Sequence, residues 1–218
     1  MKKMTGNDFD HLVRFFDGMA QTSWLGSVHN QLKEVTGLWN NKTVLDVGCG
    51  TGRMLIRGAN EASSLTGIDL SEGMVEAAKE LFKEKGYSSK SNFIVGDACA
   101  LPFSDDEFDL AISTCVLFLL PEPESGMREI LRVVREGGMI VMLNPSSKMN
   151  QNEAAKYCKK YNLADFEEKT IMQWSNISTL RHRYDKEQLK NYFKENGAKR
   201  VRHEEVLDGL ALITLAEL

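Results

Sequence analysis

The chain has 218 residues, with 27 Lys and Arg against 31 Asp and Glu, which gives a formal net charge of −4. This length suits one large domain, and the acidic balance argues against a general nucleic-acid binder. The four cysteines lack the paired spacing of a zinc site, so we expect no metal site, and unpaired cysteines suit a reducing cytoplasm. No apolar run approaches the ~20 residues of a membrane span, so we expect no membrane insertion.

The first predicted elements are two amphipathic helices in residues 1–41, which we interpret as an N-terminal helical cap. Apolar residues recur at helical spacing from Phe9 to Met19 and again from Leu25 to Val35. Gly37 follows directly and predicts the end of the second helix.

Residues 42–145 alternate short apolar strands with amphipathic helices. Five strands are predicted, at residues 43–47, 64–68, 92–95, 108–113 and 139–143. Apolar strands that alternate with helices indicate a parallel sheet covered on both faces, with right-handed crossovers. We therefore expect a Rossmann-like α/β core in this range.

The last third of the chain changes character twice. Residues 146–183 are polar and helical in pieces, and we predict a lid insertion there, after the fifth strand. Residues 184–218 predict a helix and a hairpin that turns at Asp208-Gly209. The hairpin would complete a seven-stranded, mostly parallel sheet with an antiparallel C-terminal strand, so residues 1–218 are expected to form a single domain.

The segment Val44-Leu-Asp-Val-Gly-Cys-Gly-Thr-Gly-Arg53 predicts a strand, a glycine loop and a helix, which is a recurrent way to bind a nucleotide. The dinucleotide fingerprint G-x-G-x-x-G would need a third glycine at position 53, whereas the glycines here are Gly48, Gly50 and Gly52. Asp46 would sit poorly beside a pyrophosphate but well beside an ammonium group. S-adenosylmethionine (SAM) carries an ammonium and no phosphate, so the loop suits SAM better than NAD.

Two further carboxylates follow the next strands. Asp69 ends the second strand, where an acidic residue commonly binds ribose hydroxyls. Asp97 follows the third strand, where a carboxylate can accept a hydrogen bond from the exocyclic amine of adenine. A single aspartate in such a place could equally be a turn former or a helix cap. Three at successive strand ends favour one ligand that contains adenosine.

Three segments, residues 44–53, 67–71 and 96–110, resemble the successive motifs of class I SAM-dependent methyltransferases. They are most similar to the small-molecule group that includes the ubiquinone- and menaquinone-biosynthesis methyltransferases. Residues 129–141 resemble the helix, Gly-Gly turn and fifth strand of the same group, and residues 184–215 resemble its C-terminal helix and hairpin more loosely. The resemblance implies in-line transfer of a methyl group from SAM to a small-molecule acceptor, with S-adenosylhomocysteine (SAH) as product.

The resemblance also assigns residues of this chain to the parts of SAM. The methionine end would be lined by Asp46, Gly48, Cys49, Gly50 and Gly52. The ribose would be bound by Asp69, and the adenine would contact Leu70, Asp97 and Ala98. At the end of the fourth strand, Thr114 would approach the methionine amino group through its backbone carbonyl, with Leu119 nearby.

Methyl transfer from a sulfonium depends on alignment rather than on a leaving-group acid, because the leaving group departs neutral. A general base helps only where the acceptor loses a proton, and the candidates are His182, beside the lid, and His29, in the helical cap. We expect His182 to face the acceptor, with Arg181 or Arg183 binding an acidic group of it. The alternative is a solvated, charged segment before a helix.

The N-terminal region also resembles the methyltransferase group in Phe16-Asp17 and Ala20. Members of the group often continue with a Tyr-Asp pair, where this chain has Ser23-Trp24. Trp24 therefore has two interpretations, a cover for the cofactor or an aromatic residue that packs two helices together.

Two other functions compete with methyl transfer. A non-catalytic SAM-binding module could have the same fold, because fold does not fix function. An NAD-dependent oxidoreductase is disfavoured by Asp46 and by Arg53 in the place of the fingerprint glycine. No motif identifies the acceptor or the oligomeric state.

Overall fold

The computed structural model describes residues 3–218, which contain one seven-stranded sheet. The strands are β1 (Thr43–Val47), β2 (Ser64–Asp69), β3 (Ser91–Val95), β4 (Phe108–Thr114), β5 (Val134–Pro145), β6 (Arg200–Val206) and β7 (Ala211–Glu217). Their order is β3-β2-β1-β4-β5-β7-β6, and β7 runs antiparallel to both of its neighbours while the other pairs are parallel. The predicted Rossmann-like α/β fold with an antiparallel C-terminal strand is confirmed.

The central strands are buried on both faces of the sheet, which explains why their sequences are continuously apolar. In β1 and β4, the side chains of Val44, Leu45, Leu110 and Ile112 are fully buried. Consecutive strand residues point to opposite faces, so burial of both neighbours requires cover on both sides of the sheet. The chain leaves β1 toward β2 on one side and returns to β4 on the other, and this switch point is where a ligand crevice is expected.

Eight α-helices surround the sheet in the described part of the chain. They are α1 (Asn7–Asp10), α2 (Val13–Ala20), α3 (Ser23–Val35), α4 (Glu72–Glu84), α5 (Pro123–Val133), α6 (Gln151–Tyr161), α7 (Asp165–Leu180) and α8 (Lys186–Glu195). The sheet is covered by α4 on β2 and β3, by α5 on β5, and by α8 on β6 and β7. None of the described helices is long and apolar enough to cross a bilayer.

Two helix predictions are corrected by the structure. The single helix expected from Phe9 to Met19 is divided into α1 and α2, and the carboxylate at the end of α1 binds the first turn of α4. The helix expected after the glycine loop is only a short 3-10 helix, Leu55–Gly58. The connection from the loop to β2 is short, and Gly58 packs so closely on Trp39 that a Cβ there would lie 2.0 Å from the indole.

The start of β5 is a third correction, because the strand was predicted at residues 139–143, whereas Gly137 and Gly138 already lie inside it. Val134 pairs with Phe108 and Met139 pairs with Leu110, so the intervening residues form an irregularity in the register. The positive φ of Gly137, 77°, accommodates this bulge. The strand therefore begins five residues earlier than predicted.

The lid insertion is a helical hairpin, formed by α6 and α7, that packs against the N-terminal cap. Trp24 of α3 stacks on Trp174 of α7 with ring centroids 5.5 Å apart and an interplanar angle of 14°. The indole N–H of Trp24 donates to Thr170 Oγ1 at 3.1 Å, and Glu167 accepts hydrogen bonds from the backbone N–H and hydroxyl of Ser23. Of the two interpretations of Trp24, the structure therefore supports the packing of two helices.

Candidate cofactor-binding site

A cavity of about 200 Å³ lies at the carboxyl ends of β1, β2 and β4. Nine of the residues predicted to bind the cofactor line its wall: Gly48, Cys49, Gly50, Asp69, Leu70, Asp97, Ala98, Thr114 and Leu119. Asp46, Gly52 and His182 are not among the described residues of the wall. The strand-end motifs, which are distant in sequence, thus meet around a single space.

Asp69 is held at the end of β2 by backbone donors. Its carboxylate accepts a hydrogen bond from the Gly50 N–H at 2.9 Å and from the Ser71 N–H at 3.0 Å. Burial raises the pKa of Asp69, although these backbone hydrogen bonds oppose the shift. Asp69 therefore joins the glycine loop to the start of α4 and presents a carboxylate to the cavity.

Glycine is required at the three loop positions for different structural reasons. Gly48 has a φ of 75°, and a Cβ there would lie 2.1 Å from the side chain of Val116. Gly50 has a φ of 51° with open space around its missing Cβ, so backbone and ligand can approach each other closely. A Cβ on Gly52 would meet Phe82 of α4 at 3.1 Å. Gly52 therefore serves the packing of α4, which explains why it is absent from the wall.

Asp46 lies behind the glycine loop as an unpaired acid. Its side chain is 1% exposed, and neither carboxylate oxygen has a hydrogen-bond partner. Burial, together with the charge of Asp69, raises the pKa of Asp46 to about 8. An isolated buried carboxylate is costly unless a positive charge lies nearby. The predicted role of Asp46 toward an ammonium group stays a prediction, and its carboxyl lies behind the described cavity wall rather than in it.

Asp97 already accepts hydrogen bonds from two N–H donors. Lys3 Nζ donates to Oδ2 at 2.5 Å, and the Cys99 N–H donates to Oδ1 at 2.9 Å. Burial raises the pKa of Asp97, but the hydrogen bonds from Lys3 and Cys99 outweigh burial and lower it. Asp97 is consequently an ionised acceptor facing the cavity, in keeping with its predicted role toward an amine of adenine.

A family model described as "Methyltransferase domain" matches residues 38–197. The chain belongs to this methyltransferase family. Demethylmenaquinone methyltransferase of Staphylococcus aureus (strain JH9) is 31% identical over 82% of this chain and 77% of its own length. A sterol 4-C-methyltransferase of Caenorhabditis elegans is 30% identical over 63% of this chain, and the chain spans only 41% of that relative's length. The chain likewise spans 42% of the length of demethylmenaquinone methyltransferase of Desulfitobacterium hafniense.

Solved structures confirm the fold. A SAM-dependent methyltransferase from Aquifex aeolicus superimposes with a TM-score of 0.69 at 18% identity, covering 95% of this chain and 97% of the other. The [4+2]-cyclase SpnF superimposes with the same TM-score at 20% identity, covering 97% and 94%. At these identities the similarity concerns the fold alone.

The N-terminal region of the chain contacts the loops that line the cavity. We call residues 3–20 the N-terminal strap. Asp10 accepts hydrogen bonds from Ser71 Oγ at 2.6 Å and from the Gly73 N–H at 3.2 Å. Because Lys3 also binds Asp97, the strap contacts the segments that follow both β2 and β3.

The third contact of the strap reaches the glycine loop through Asp17. Arg53 donates from Nε and Nη2 to the two carboxylate oxygens at 2.9 and 3.0 Å, and Thr51 Oγ1 donates to Oδ1 at 2.7 Å. Lys3, Asp10 and Asp17 were not among the residues predicted for the site. The Phe16-Asp17 motif was the available signal, but its partner lies more than 30 residues away.

We expect the change Asp17→Asn to weaken SAH binding about tenfold. A lost hydrogen bond between charged groups costs about 1.5–3 kcal/mol, and because it loosens the glycine loop, part of this cost reduces the free energy of SAH binding. Isothermal titration calorimetry gives the affinity, and stopped-flow displacement should show faster SAH release. Glu76→Gln, which removes an exposed charge on α4, is the matched control. Equal affinities for Asp17→Asn and the wild type would show that the strap does not support the loop.

The segment containing His182 lies outside the cavity wall, as do all described residues of the lid insertion. The His182 N–H donates to the Phe118 carbonyl at 3.3 Å, and its Nε2 is buried with no hydrogen-bond partner. Arg181 and Arg183 each donate to a backbone carbonyl, of Leu119 and Met149 respectively. The predicted catalytic role of His182 stays a prediction, whereas His29 of α3 does line the cavity.

Proposed function

We propose that this protein transfers the methyl group of SAM to a small-molecule acceptor. The observation that carries the proposal is the meeting of the glycine loop, Asp69 and Asp97 around one cavity at the switch point of the sheet. An NAD site would require close approach of a pyrophosphate to the loop, and the buried carboxyl of Asp46 lies directly behind it. The family membership supports the same choice.

The residues present fit SAM, which supplies a methyl group on a cationic sulfur. Asp69 would accept hydrogen bonds from the two ribose hydroxyls, and Asp97 would accept from the adenine amine. Asp46 would place a negative charge beneath the methionine end, where its unpaired oxygens would balance an ammonium group. The open position beside Gly50 would let the backbone contact the cofactor closely.

The acceptor, we propose, is uncharged and largely apolar. The part of the wall that the cofactor residues do not form is mainly apolar, with Phe9, Phe16, Met19, Leu25 and Leu120. The relatives named for demethylmenaquinone and sterol methylation act on molecules of this general chemistry. Such a wall would exclude water from the displacement and align the acceptor through shape.

Location and partners form part of this proposal. The four cysteines are unpaired thiols, which suits a reducing cytoplasm. The net charge of −4 favours a small-molecule substrate over a nucleic acid.

The test is a turnover screen that measures SAH release from SAM with acceptors sorted by charge and polarity. We expect turnover with uncharged, hydrophobic, hydroxylated ring compounds and none with charged ones. The Asp69→Ala variant should lose this turnover at low SAM concentration. Tight SAM binding without turnover on any acceptor would favour a non-catalytic SAM-binding module. Tight NADH binding without SAM binding would favour an oxidoreductase instead.

A further inference from the structure

His29 is a buried imidazole on the wall of the cavity. Its side chain is 4% exposed, and its Nδ1 is buried with no hydrogen-bond partner. Burial, with a contribution from the charge of Arg57, lowers the pKa of His29 to about 3, so the ring is neutral at physiological pH. A neutral imidazole has one N–H donor and one acceptor nitrogen. The described part of the chain contains no hydrogen bond to either ring nitrogen of His29, so the imidazole on the wall is unpaired.

The cationic side chains of the described cavity wall already have acidic partners. Arg53 is bound by Asp17 through two hydrogen bonds, and Lys3 is bound by Asp97. The wall outside the cofactor residues is mainly apolar, and Leu25, one helical turn before His29 on α3, belongs to it. A polar group of a bound molecule would therefore find in the imidazole of His29 a partner that makes no hydrogen bond to the described part of the chain.

We propose that the imidazole of His29 hydrogen-bonds a hydroxyl group of the methyl acceptor and so positions the acceptor in the cavity. The inference rests on the proposed function. A hydroxyl both donates and accepts, so it matches a neutral imidazole in either tautomer. A carboxylate only accepts and an ammonium only donates, and the apolar wall would leave either charge uncompensated. Because so weakly basic an imidazole is a poor proton acceptor, its role is binding rather than general base catalysis.

The experiment compares two probes that differ in one group, 2-naphthol and 2-fluoronaphthalene. Their affinities for the SAH-saturated protein are measured by isothermal titration calorimetry. We expect the wild type to bind 2-naphthol about tenfold more tightly, the effect of one hydrogen bond in a desolvated site. In His29→Phe this preference should fall below about twofold while the affinity for SAH stays the same. In His29→Gln, which keeps a donor and an acceptor, part of the preference should return.

His203→Phe is the matched control, because His203 lies on β6, outside the cavity wall, where its Nδ1 is already within hydrogen-bond distance of Thr214 Oγ1. This variant should keep the full preference for 2-naphthol. Equal binding of the two probes by the wild type, or a preference that survives in His29→Phe, would overturn the inference. A large loss of SAH affinity in His29→Phe would overturn it too, because His29 would then hold the cofactor. If the wild type itself fails to bind SAH, the proposed function falls before either probe is added.

Discussion

Replacing Asp69 with alanine is expected to weaken SAH binding by about 100-fold. The change would remove the two charge-assisted hydrogen bonds that we propose between Asp69 and the ribose, each contributing about 1.5 kcal/mol. The sum of about 3 kcal/mol corresponds to roughly that factor. It also removes the acceptor that holds the Gly50 and Ser71 N–H groups, so the loop loses part of its preorganisation. Calorimetric titration of SAH into the wild type and the variant measures the loss directly.

Two further variants make the Asp69 experiment specific. Asp69→Asn keeps the shape of the side chain and one acceptor oxygen, and should bind SAH with intermediate affinity. Asp105→Ala removes an exposed carboxylate that pairs with Arg132, and should bind SAH like the wild type. Circular dichroism and thermal melting check that each variant is folded. An Asp69→Ala affinity within about threefold of the wild type, in a folded protein, would remove the ribose assignment.

The central features of the fold and site could be predicted because their signals are local in sequence. Apolar runs mark the parallel strands, and the glycine loop follows β1 directly, Asp69 is the last residue of β2, and Asp97 lies two residues after β3. The parallel topology then brings their carboxyl ends to one edge, as the cavity confirms. Local pattern and global geometry agree here because the ligand crevice of an open parallel sheet is set by strand order.

The contacts between the N-terminal strap and the site could not be predicted from the sequence. Asp17 and Arg53 are 36 residues apart, and Lys3 and Asp97 are 94 apart, so no periodicity links the partners. His182 was the residue expected to face the acceptor and His29 the other candidate base, but of the two only His29 lies in the described cavity wall. The lid insertion was recognisable from its polarity, but its contact with the cap depends on the stacking of Trp24 and Trp174.

The other large effect is expected in Asp46→Asn, which should stabilise the ligand-free protein at high pH. In the unfolded chain this carboxyl has an ordinary pKa near 3.8, and in the folded protein burial raises it to about 8. Between these two pKa values the folded state binds one proton more than the unfolded state. The free energy of unfolding is therefore fully retained below about pH 4 and decreases as the pH rises toward 8. Asparagine carries no charge to desolvate, so the variant should not suffer this loss.

The expected size follows from the shift in the pKa of Asp46. One pKa unit corresponds to about 1.4 kcal/mol, so we expect the variant to gain at least about 2 kcal/mol over the wild type between pH 5 and pH 9. For a domain of this size that is roughly 4–8 °C in melting temperature, measured by calorimetry at both pH values. Asp105→Asn, at an exposed position, is the control and should follow the wild type at both pH values.

Cofactor binding should show the opposite effect of the Asp46→Asn substitution. If Asp46 balances the ammonium group of the ligand, SAM binding at pH 7 should release nearly one proton, because the carboxyl is mostly protonated beforehand and ionised afterwards. Titrations in buffers of different ionisation enthalpy count that proton. The variant should release fewer protons and bind SAM more weakly, even though its ligand-free form is more stable. The same pH profile and the same proton count in both proteins would mean that Asp46 is not the group that receives the cofactor's positive charge.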